Sequence, residues 1–405
     1  MRYGDLEFIN FCNVLDCVEH RLDRPSRADV AKDLSLSRTT ASIIANKLVA
    51  LGVLQEEQVV TAGRGRPGTP LSVDTSTWFA IGAAYHPPQW AFVITNLRGE
   101  IVERHTIFLE DISKKHFVQT LIKGLQYMLD RCPGKLFPAL AVGVPGVIDT
   151  KTGTILYAYD LNWQEPMIAF REKIEQHFNM RTYILNRYRA SSLAEFRYGK
   201  WKGIPNMLYL GIGTGMRSSL FVDGKLVEGQ NFSAGRIAHI QVDPDGPLCG
   251  CGQRGCLQEM CNELALLRCA RELRQSQNRT EFKDSPLWKV DPEDYSILRI
   301  TAAADAGDPF ACACVDIITA PLIKVLAIMI DTLDPQVAII GGPLGNCCAY
   351  LVRRIRSELK RMATTDNLKN LDVVQSSVDS YGSAAGAVSA ALEHKLELLM
   401  PITPR

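Results

Sequence analysis

The sequence predicts an α/β protein headed by a winged helix-turn-helix, and three observations carry that prediction. Residues 1–74 read as three helices followed by a basic, glycine-rich loop. From Phe79 onward, apolar β-prone runs alternate with helical stretches. Between His239 and Cys256, three thiols and an imidazole are gathered among glycines.

In the first unit, Phe8, Ile9, Phe11, Cys12, Leu15 and Val18 recur at helical spacing from about Leu6 to Glu19. Pro25-Ser26 breaks the chain and caps a second helix, Arg27 to Leu34. Ser35-Leu36-Ser37 forms a short turn, and Ser37 caps a third helix, Arg38 to Leu51, with Ile43, Ile44, Leu48 and Leu51 inward and Gly52 as its stop. The first turn of that helix presents Ser37, Arg38, Thr39, Thr40 and Ser42, a guanidinium and several hydroxyls suited to base edges and phosphates in a major groove. Arg27 and Lys47 join this set over phosphate. Val59-Val60 and Leu71 to Val73 flank a loop whose Arg64 and Arg66 would lie along the duplex or in a narrow minor groove, as a wing does. The competing reading of this unit is a small helical interaction domain with a solvated basic loop.

The remainder alternates. Phe79 to Ala84, Trp90 to Thr95 and Ile101 to Phe108 read as a three-stranded meander, followed by a helix near Lys115 to Asp130 and a strand, Ala139 to Val144, that ends in Pro145-Gly146. Thr182 to Leu185, Met207 to Leu210 and Val337 to Ile340 are further strands, the last two running into Gly211-Ile-Gly-Thr-Gly215 and Gly341-Gly342. Glycines just past strand ends let backbone amides approach a phosphate or nucleoside. The chain has 405 residues, 46% hydrophobic and 22% charged, enough for two or three cored domains. A net charge of +1 places any nucleic-acid contact in a local patch. Twelve cysteines scattered in apolar contexts, with no signal-like N-terminus, lead us to expect reduced thiols and a cytoplasmic location. No membrane role is expected either, because the apolar stretch Ala320 to Ile330 is broken by Pro321 and Lys324.

His239, Cys249, Cys251 and Cys256 have the donor set of a closed zinc site. Four protein ligands leave no open position for water, so a Zn2+ ion here would be structural.

These motifs together resemble the ROK family, which joins sugar-responsive repressors and sugar kinases on one actin and hexokinase-like fold. The similarity rests on the Cys-x-Cys segment, Gly143-Val-Pro-Gly146, Gly213-Thr-Gly215, Leu333-Asp-Pro335 with Gly341-Gly342, and Ser383-Ala-Ala-Gly-Ala387. It implies a two-lobed, ribonuclease H-like α/β body: a small lobe of residues 75–185 with 386–405, and a large lobe of residues 186–385 that holds the metal, the pocket and an oligomer interface. The N-terminal unit resembles only the repressor branch. That branch implies a double-stranded DNA operator, a small effector of sugar type and a homodimer or homotetramer.

Phosphoryl transfer is not expected, so the chain should not be an enzyme. Where kinase members carry Asn-Asp, this chain has Asn186-Arg187, and an arginine cannot accept a hydroxyl proton. Where they carry Asp-x-Gly-Gly-Thr, it has Ala84-Tyr-His-Pro-Pro88. The resemblance places the ligand pocket at Asp160, Asn162, Asn186, Arg187, Arg236, His239, Gln258 and Glu259. Arginines replace acceptors at 187 and 236, so the effector is expected to be anionic, a sugar acid or sugar phosphate. The alternative is that Arg187 and Arg236 pair with Asp160, Glu195 or Glu259 and seal a ligand-blind DNA-binding protein. A sugar kinase with an appended DNA-binding unit is the third reading.

Overall fold

The computed structural model describes residues 3–400 apart from 22, 58–68, 159–160, 164, 168, 277–279 and 363–365. The N-terminal unit contains α1 (Tyr3–His20), α2 (Arg27–Asp33) and α3 (Arg38–Ala50), followed by an antiparallel pair, β1 (Leu54–Glu56) and β2 (Leu71–Val73). Capping sets where the helices begin. Ser26 and Asp29 cap α2 reciprocally, and Ser37 Oγ accepts from the Thr40 amide at the start of α3. Phe11, Val14, Leu48, Val53 and Leu71 close a small core. One expectation needs revision, and another falls outside the described residues. Ile43 is 51% exposed, because Ala41, Ile44, Ala45 and Leu48 already fill the inward stripe of α3. The hairpin's first strand is Leu54–Glu56, whereas Val59, Val60, Arg64 and Arg66 lie outside the described residues.

The body begins with β3 (Trp78–His86), β4 (Gln89–Asn96), β5 (Ile101–Phe108), α4 (Lys114–Leu129), β6 (Lys135–Val144), β7 (Val147–Asp149), β8 (Thr154–Tyr157), α5 (Phe170–Phe178), β9 (Arg181–Asn186) and α6 (Arg187–Tyr198). It continues with β10 (Met207–Ile212), β11 (Met216–Val222), β12 (Lys225–Leu226), α7 (Leu257–Cys261), α8 (Glu263–Gln275), α9 (Ile297–Asp305) and α10 (Pro309–Leu333). The last elements are β13 (Val337–Gly341), α11 (Gly342–Cys347), α12 (Ala349–Met362), α13 (Asp366–Asn370), β14 (Asp372–Gln375), α14 (Ser380–Leu392) and α15 (Lys395–Leu399). One sheet has the order β5-β4-β3-β6-β9 and the other β12-β11-β10-β13-β14. Each is an antiparallel meander extended by two parallel strands, so one topology occurs twice, as the resemblance implied.

The helices that follow the two sheets join them. Helix α6 leaves the first sheet and packs on β10 and β11 of the second, whereas α14 leaves the second and packs on β3, β4 and β6 of the first. The two helices cross closely because Ser383-Ala-Ala-Gly-Ala387 is a run of small residues: a Cβ on Gly386 would stand 1.9 Å from the Ala190 carbonyl oxygen. Backbone, not a flexible side chain, would have to yield. Gly386→Ala is therefore expected to destabilise the protein by about 3 kcal/mol, the upper end of overpacking effects. A denaturant midpoint unchanged from wild type would contradict this.

Helix α10 runs through Pro321 and Lys324, which interrupt the apolar stretch in the sequence reading. It is long and apolar enough to cross a membrane, with mean hydropathy 2.1 over its best window, but half of that window is buried and it packs against α7, α8, α9 and α12. The N-terminal unit docks on the body through polar contacts over a shared apolar core. Trp78 Nε1 donates to the Leu51 carbonyl at 2.7 Å, and Lys395 Nζ of α15 meets Glu19 of α1 at 2.8 Å.

Candidate functional site

The cleft between the lobes is assembled from strand ends. Strand β6 runs into Pro145-Gly146, and Gly146 takes φ +93°, with a virtual Cβ 2.1 Å from the Tyr157 carbonyl oxygen. Asn186 then couples this loop to α6: its Nδ2 donates to the Gly146 carbonyl at 2.7 Å, and its Oδ1 accepts from the Tyr188 amide at 2.9 Å. Its polar atoms thus cap a helix and fasten a loop.

Arg187, the first residue of α6, is 1% exposed. Its guanidinium lies over the Tyr188 ring at 4.9 Å and reaches Thr214 Oγ1 at 3.5 Å. The next residue closes the glycine loop: Tyr188 Oη donates to the Gly215 carbonyl at 3.0 Å, and its ring lies where a Cβ on Gly211 would be, 2.2 Å away. Gly213 donates its amide to Gly215 within the loop itself. On the other lobe, Pro87-Pro88 forms the two-residue turn between β3 and β4, and His86 is buried beneath it. Burial, reinforced by Arg187, holds the His86 pKa down at about 3. Beyond the loop, burial lifts the Glu263 carboxyl above its usual range, against the pull of Arg187.

One cavity gathers Asn186, Arg187, Arg236, His239 and Gln258 from the predicted set. Asn162 is exposed at φ +57° and Glu259 is half-buried; neither lines it. Asp160 lies outside the described residues. Glu195, the carboxylate offered above as a seal, is spent elsewhere: it accepts from Ser376 Oγ at 2.7 Å and the Ser377 amide at 2.6 Å.

Sequence reasoning missed Arg217, Arg189 and Tyr157. Arg217 lines the cavity and donates to the Phe232 and Ala234 carbonyls at 3.0 Å, while its Nε has no hydrogen-bond partner. Burial first, then Arg189 and Arg236, hold its pKa down at about 9. Arg189 lies behind it, 3% exposed in its side chain and 3.5 Å from Glu228. Arg236 is exposed and stacks over Tyr157 at 5.0 Å. Strand alternation from Gly215 carried a signal for Arg217, but Arg189 could be placed only once the strand-to-helix turn at 186–187 was known. Three guanidinium groups, those of Arg187, Arg217 and Arg236, line this one cavity. The cavity is small, ≈ 60 Å3, against roughly 300 Å3 or more for typical ligand pockets.

His239 stands at the cavity wall and also belongs to the cysteine loop. Its Nδ1 is 3.5 Å from Cys249 Sγ, Cys251 and Cys256 sulfurs are 3.6 Å apart, and all four donor atoms lie within 4.8 Å of one another. A tetrahedral ion with metal–sulfur and metal–nitrogen bonds of about 2.3 and 2.0 Å requires donors roughly 3.5–3.8 Å apart, so the set fits a metal. Glycine makes the loop: Gly255 takes φ +60°, and a Cβ there would meet the Asp243 carbonyl oxygen at 1.4 Å.

On the N-terminal unit, Arg38 and Thr39 are exposed at the start of α3, and Ser42 is half-buried. The hydroxyls of Ser37 and Thr40 are 2.8 Å apart. Lys47 pairs with Glu7 at 2.9 Å, and Arg27 with Glu56 at 2.8 Å, so both cations are partly answered inside the unit.

The model of the ROK family matches residues 88–394, most of the chain. The chain belongs to the ROK family. Over 374 residues it is 23% identical to the xylose repressor of Caldicellulosiruptor bescii, covering 92% of each protein. The crystal structure of a ROK family transcriptional regulator, a homologue of the Escherichia coli MLC protein, superposes with TM-score 0.81 at 23% identity over 98% of both chains. A ROK family glucokinase from Streptomyces griseus, solved with glucose and AMPPNP, superposes with TM-score 0.65 at 22% identity over 98% of its own chain but 77% of this one. The ROK body is common to all three.

Proposed function

We propose that this ROK protein is a sequence-specific DNA-binding transcriptional regulator, a repressor of carbohydrate-related genes, whose cleft senses a small anionic sugar derivative and no longer phosphorylates it. The observation that carries the proposal is the exposed first turn of α3 on a winged-helix unit joined to an arginine-lined ROK cleft. Similarity to a xylose repressor over nearly the whole chain supports the regulatory half. The loss of kinase chemistry is supported by geometry. A cation that cannot take a proton occupies the start of α6, and Tyr188 fills the space over the glycine loop where nucleotide phosphates would need amide donors. We assign Zn2+ as the metal of His239, Cys249, Cys251 and Cys256, where it would hold the loop and orient His239 at the cavity wall. The assembly is proposed to be a cytoplasmic homodimer or homotetramer that presents paired winged helices to two half-sites. Arg64 and Arg66 are proposed to follow the DNA backbone.

The mechanism follows from the two sites. An anion entering between Arg187, Arg217 and Arg236 draws the start of α6, which follows β9 of the first sheet, toward β11 of the second. Helix α6 carries that movement toward the N-terminal unit. Near its far end, Arg197 bonds Glu393 at 2.8 Å, and Lys395 bonds Glu19 of α1. DNA affinity changes if the ligand binds the two lobe arrangements unequally.

The test is operator binding with upstream DNA fragments and a panel of acidic and neutral sugars. We expect an acidic sugar to shift binding, and Arg236→Gln, a substitution at an exposed position, to raise the concentration required by about tenfold or more, the loss of one charge-assisted contact. Response to neutral sugars with no acidic hit would sink the anion reading; the absence of any sequence-specific DNA binding would sink the regulator.

A further inference from the structure

A second, larger cavity lies between the lobes at the opposite end of α6. The front cleft is lined by Arg187 and Tyr188 at the start of α6 and by the start of β11; the rear cavity is lined by Arg189, Leu193, Phe196 and Arg197 along α6 and by Phe221 near the end of β11. Tyr183 of β9 and His394 complete its wall. Its volume is ≈ 580 Å3 against ≈ 60 Å3 in front. Both cavities are lined by α6 and β11, so an occupant of one bears on elements that form the other.

The rear cavity has the walls of a site for a flat ring. Phe196 stacks on Phe221 at 4.6 Å, and Tyr183 on His394 at 5.4 Å. Its wall carries Arg171, Arg189, Arg197 and Lys225 against two carboxylates, Glu228 and Glu393, which pair with Arg189 and Arg197 and so leave Arg171 and Lys225 as the cations in excess. Arg171 donates to the Lys151 carbonyl at 2.6 Å and to the Thr150 carbonyl, its Nε has no partner, and among the described residues no carboxylate lies within ion-pair distance of it. The Tyr183 hydroxyl is buried without a hydrogen-bond partner, and Lys225 is exposed at the rim. A guanidinium whose hydrogen bonds go only to carbonyls, with Glu175 and Asp149 near but beyond ion-pair distance, beside an unused hydroxyl donor and two aromatic pairs, suits a ligand with a negative head and an aromatic body.

We propose that this rear cavity is a second ligand site, for an aromatic anion of the aryl phosphate or aryl carboxylate class. Its occupant reaches the DNA-binding unit by a short route. Arg197 in its wall holds Glu393, and two residues later Lys395 holds Glu19 of α1, so an anion that draws on Arg197 competes with Glu393 for that connection.

Calorimetric titration of the full, metal-loaded chain with phenyl phosphate, compared with inorganic phosphate, tests the site without DNA, so failure of the regulator reading leaves this result standing. We expect saturable binding of phenyl phosphate at least about tenfold tighter than inorganic phosphate, and loss of that preference in Leu193→Trp, which fills the cavity, and in Arg171→Gln, which removes the cation. Thermal melts of both variants establish that they fold. Two outcomes overturn the proposal: no saturable binding by wild type, or binding that survives Leu193→Trp and disappears in Arg236→Gln, which would put the ligand in the front cleft.

Discussion

Cys256→Ala is expected to lose one equivalent of bound metal, to lower the melting temperature by roughly 10 °C, and to abolish the ligand response. The reason is the position of this thiol. Cys256 is fully buried and is the cap residue of α7, which packs on α10 in the core of the second lobe. At the other end of the loop, His239 lines the ligand cleft. The loop itself has little regular structure: isolated bridges join Gln241 to Cys256 and Leu248 to Arg254, and its turns rest on glycines at positive φ. A segment of this kind has little to hold it on its own, and an ion bound by the four donors would supply folding free energy. Structural zinc is worth about 10–16 kcal/mol in isolated finger peptides. Here the lobe has its own apolar core and loses only the loop and its hold on α7, about 3 kcal/mol, which converts to the stated shift at roughly 2–4 °C per kcal/mol.

Chelation should act in the same direction as the substitution. Metal analysis and melting with and without chelator measure it, and DNA binding by the N-terminal unit should persist, because α3 is remote from the loop in the fold. A metal-free protein with an unchanged melting temperature and an intact ligand response would remove the ion from both roles.

The contrast between this loop and the cleft accounts for what could be read in advance. His239, Cys249, Cys251 and Cys256 are close in sequence, so their spacing alone carries the donor set, and the caps Ser26 and Ser37 are equally local. Most of the expected strands occur, because Val, Ile and aromatic runs bounded by turns are local signals too. The cleft depends on long-range geometry. Arg217 comes to Arg187 only when β11 folds back on β10 and α6 leaves β9, and Glu195 is withdrawn from the cleft by Ser376 and Ser377, far along the chain. Position 43 was misread as inward because a one-residue rotation of a helical stripe separates Ile43 from Ile44. The apolar stretch reads as too short because Pro321 and Lys324 interrupt it, whereas the helix built from Pro309 to Leu333 carries the apolar character past both residues.

Arg38→Ala is expected to reduce operator affinity by two to three orders of magnitude while leaving the melting temperature unchanged. Arg38 is the first residue of α3 and is exposed, with its backbone already supported by the Ser37 cap, so removing its side chain costs the fold little. Its value lies in the groove. A bidentate contact from arginine to a base is worth about 1–3 kcal/mol, and in the proposed dimer on two half-sites that loss is incurred twice, about 2–6 kcal/mol in all. At about 1.4 kcal/mol per tenfold, the midpoint of that range is close to a thousandfold. Lys47 and Arg27 should matter less, since Glu7 and Glu56 already hold them and each must leave an acid to reach phosphate. The two classes also separate by salt: Lys47→Ala should flatten the dependence of affinity on salt with nearly uniform weakening across sequences, whereas Arg38→Ala should relax preference at one base position. Fluorescence anisotropy at several salt concentrations, with single-base operator variants, measures both effects. If Arg38→Ala binds like wild type while Lys47→Ala loses sequence preference, the end of α3 that enters the groove is the opposite one, and the winged unit docks in the reverse sense.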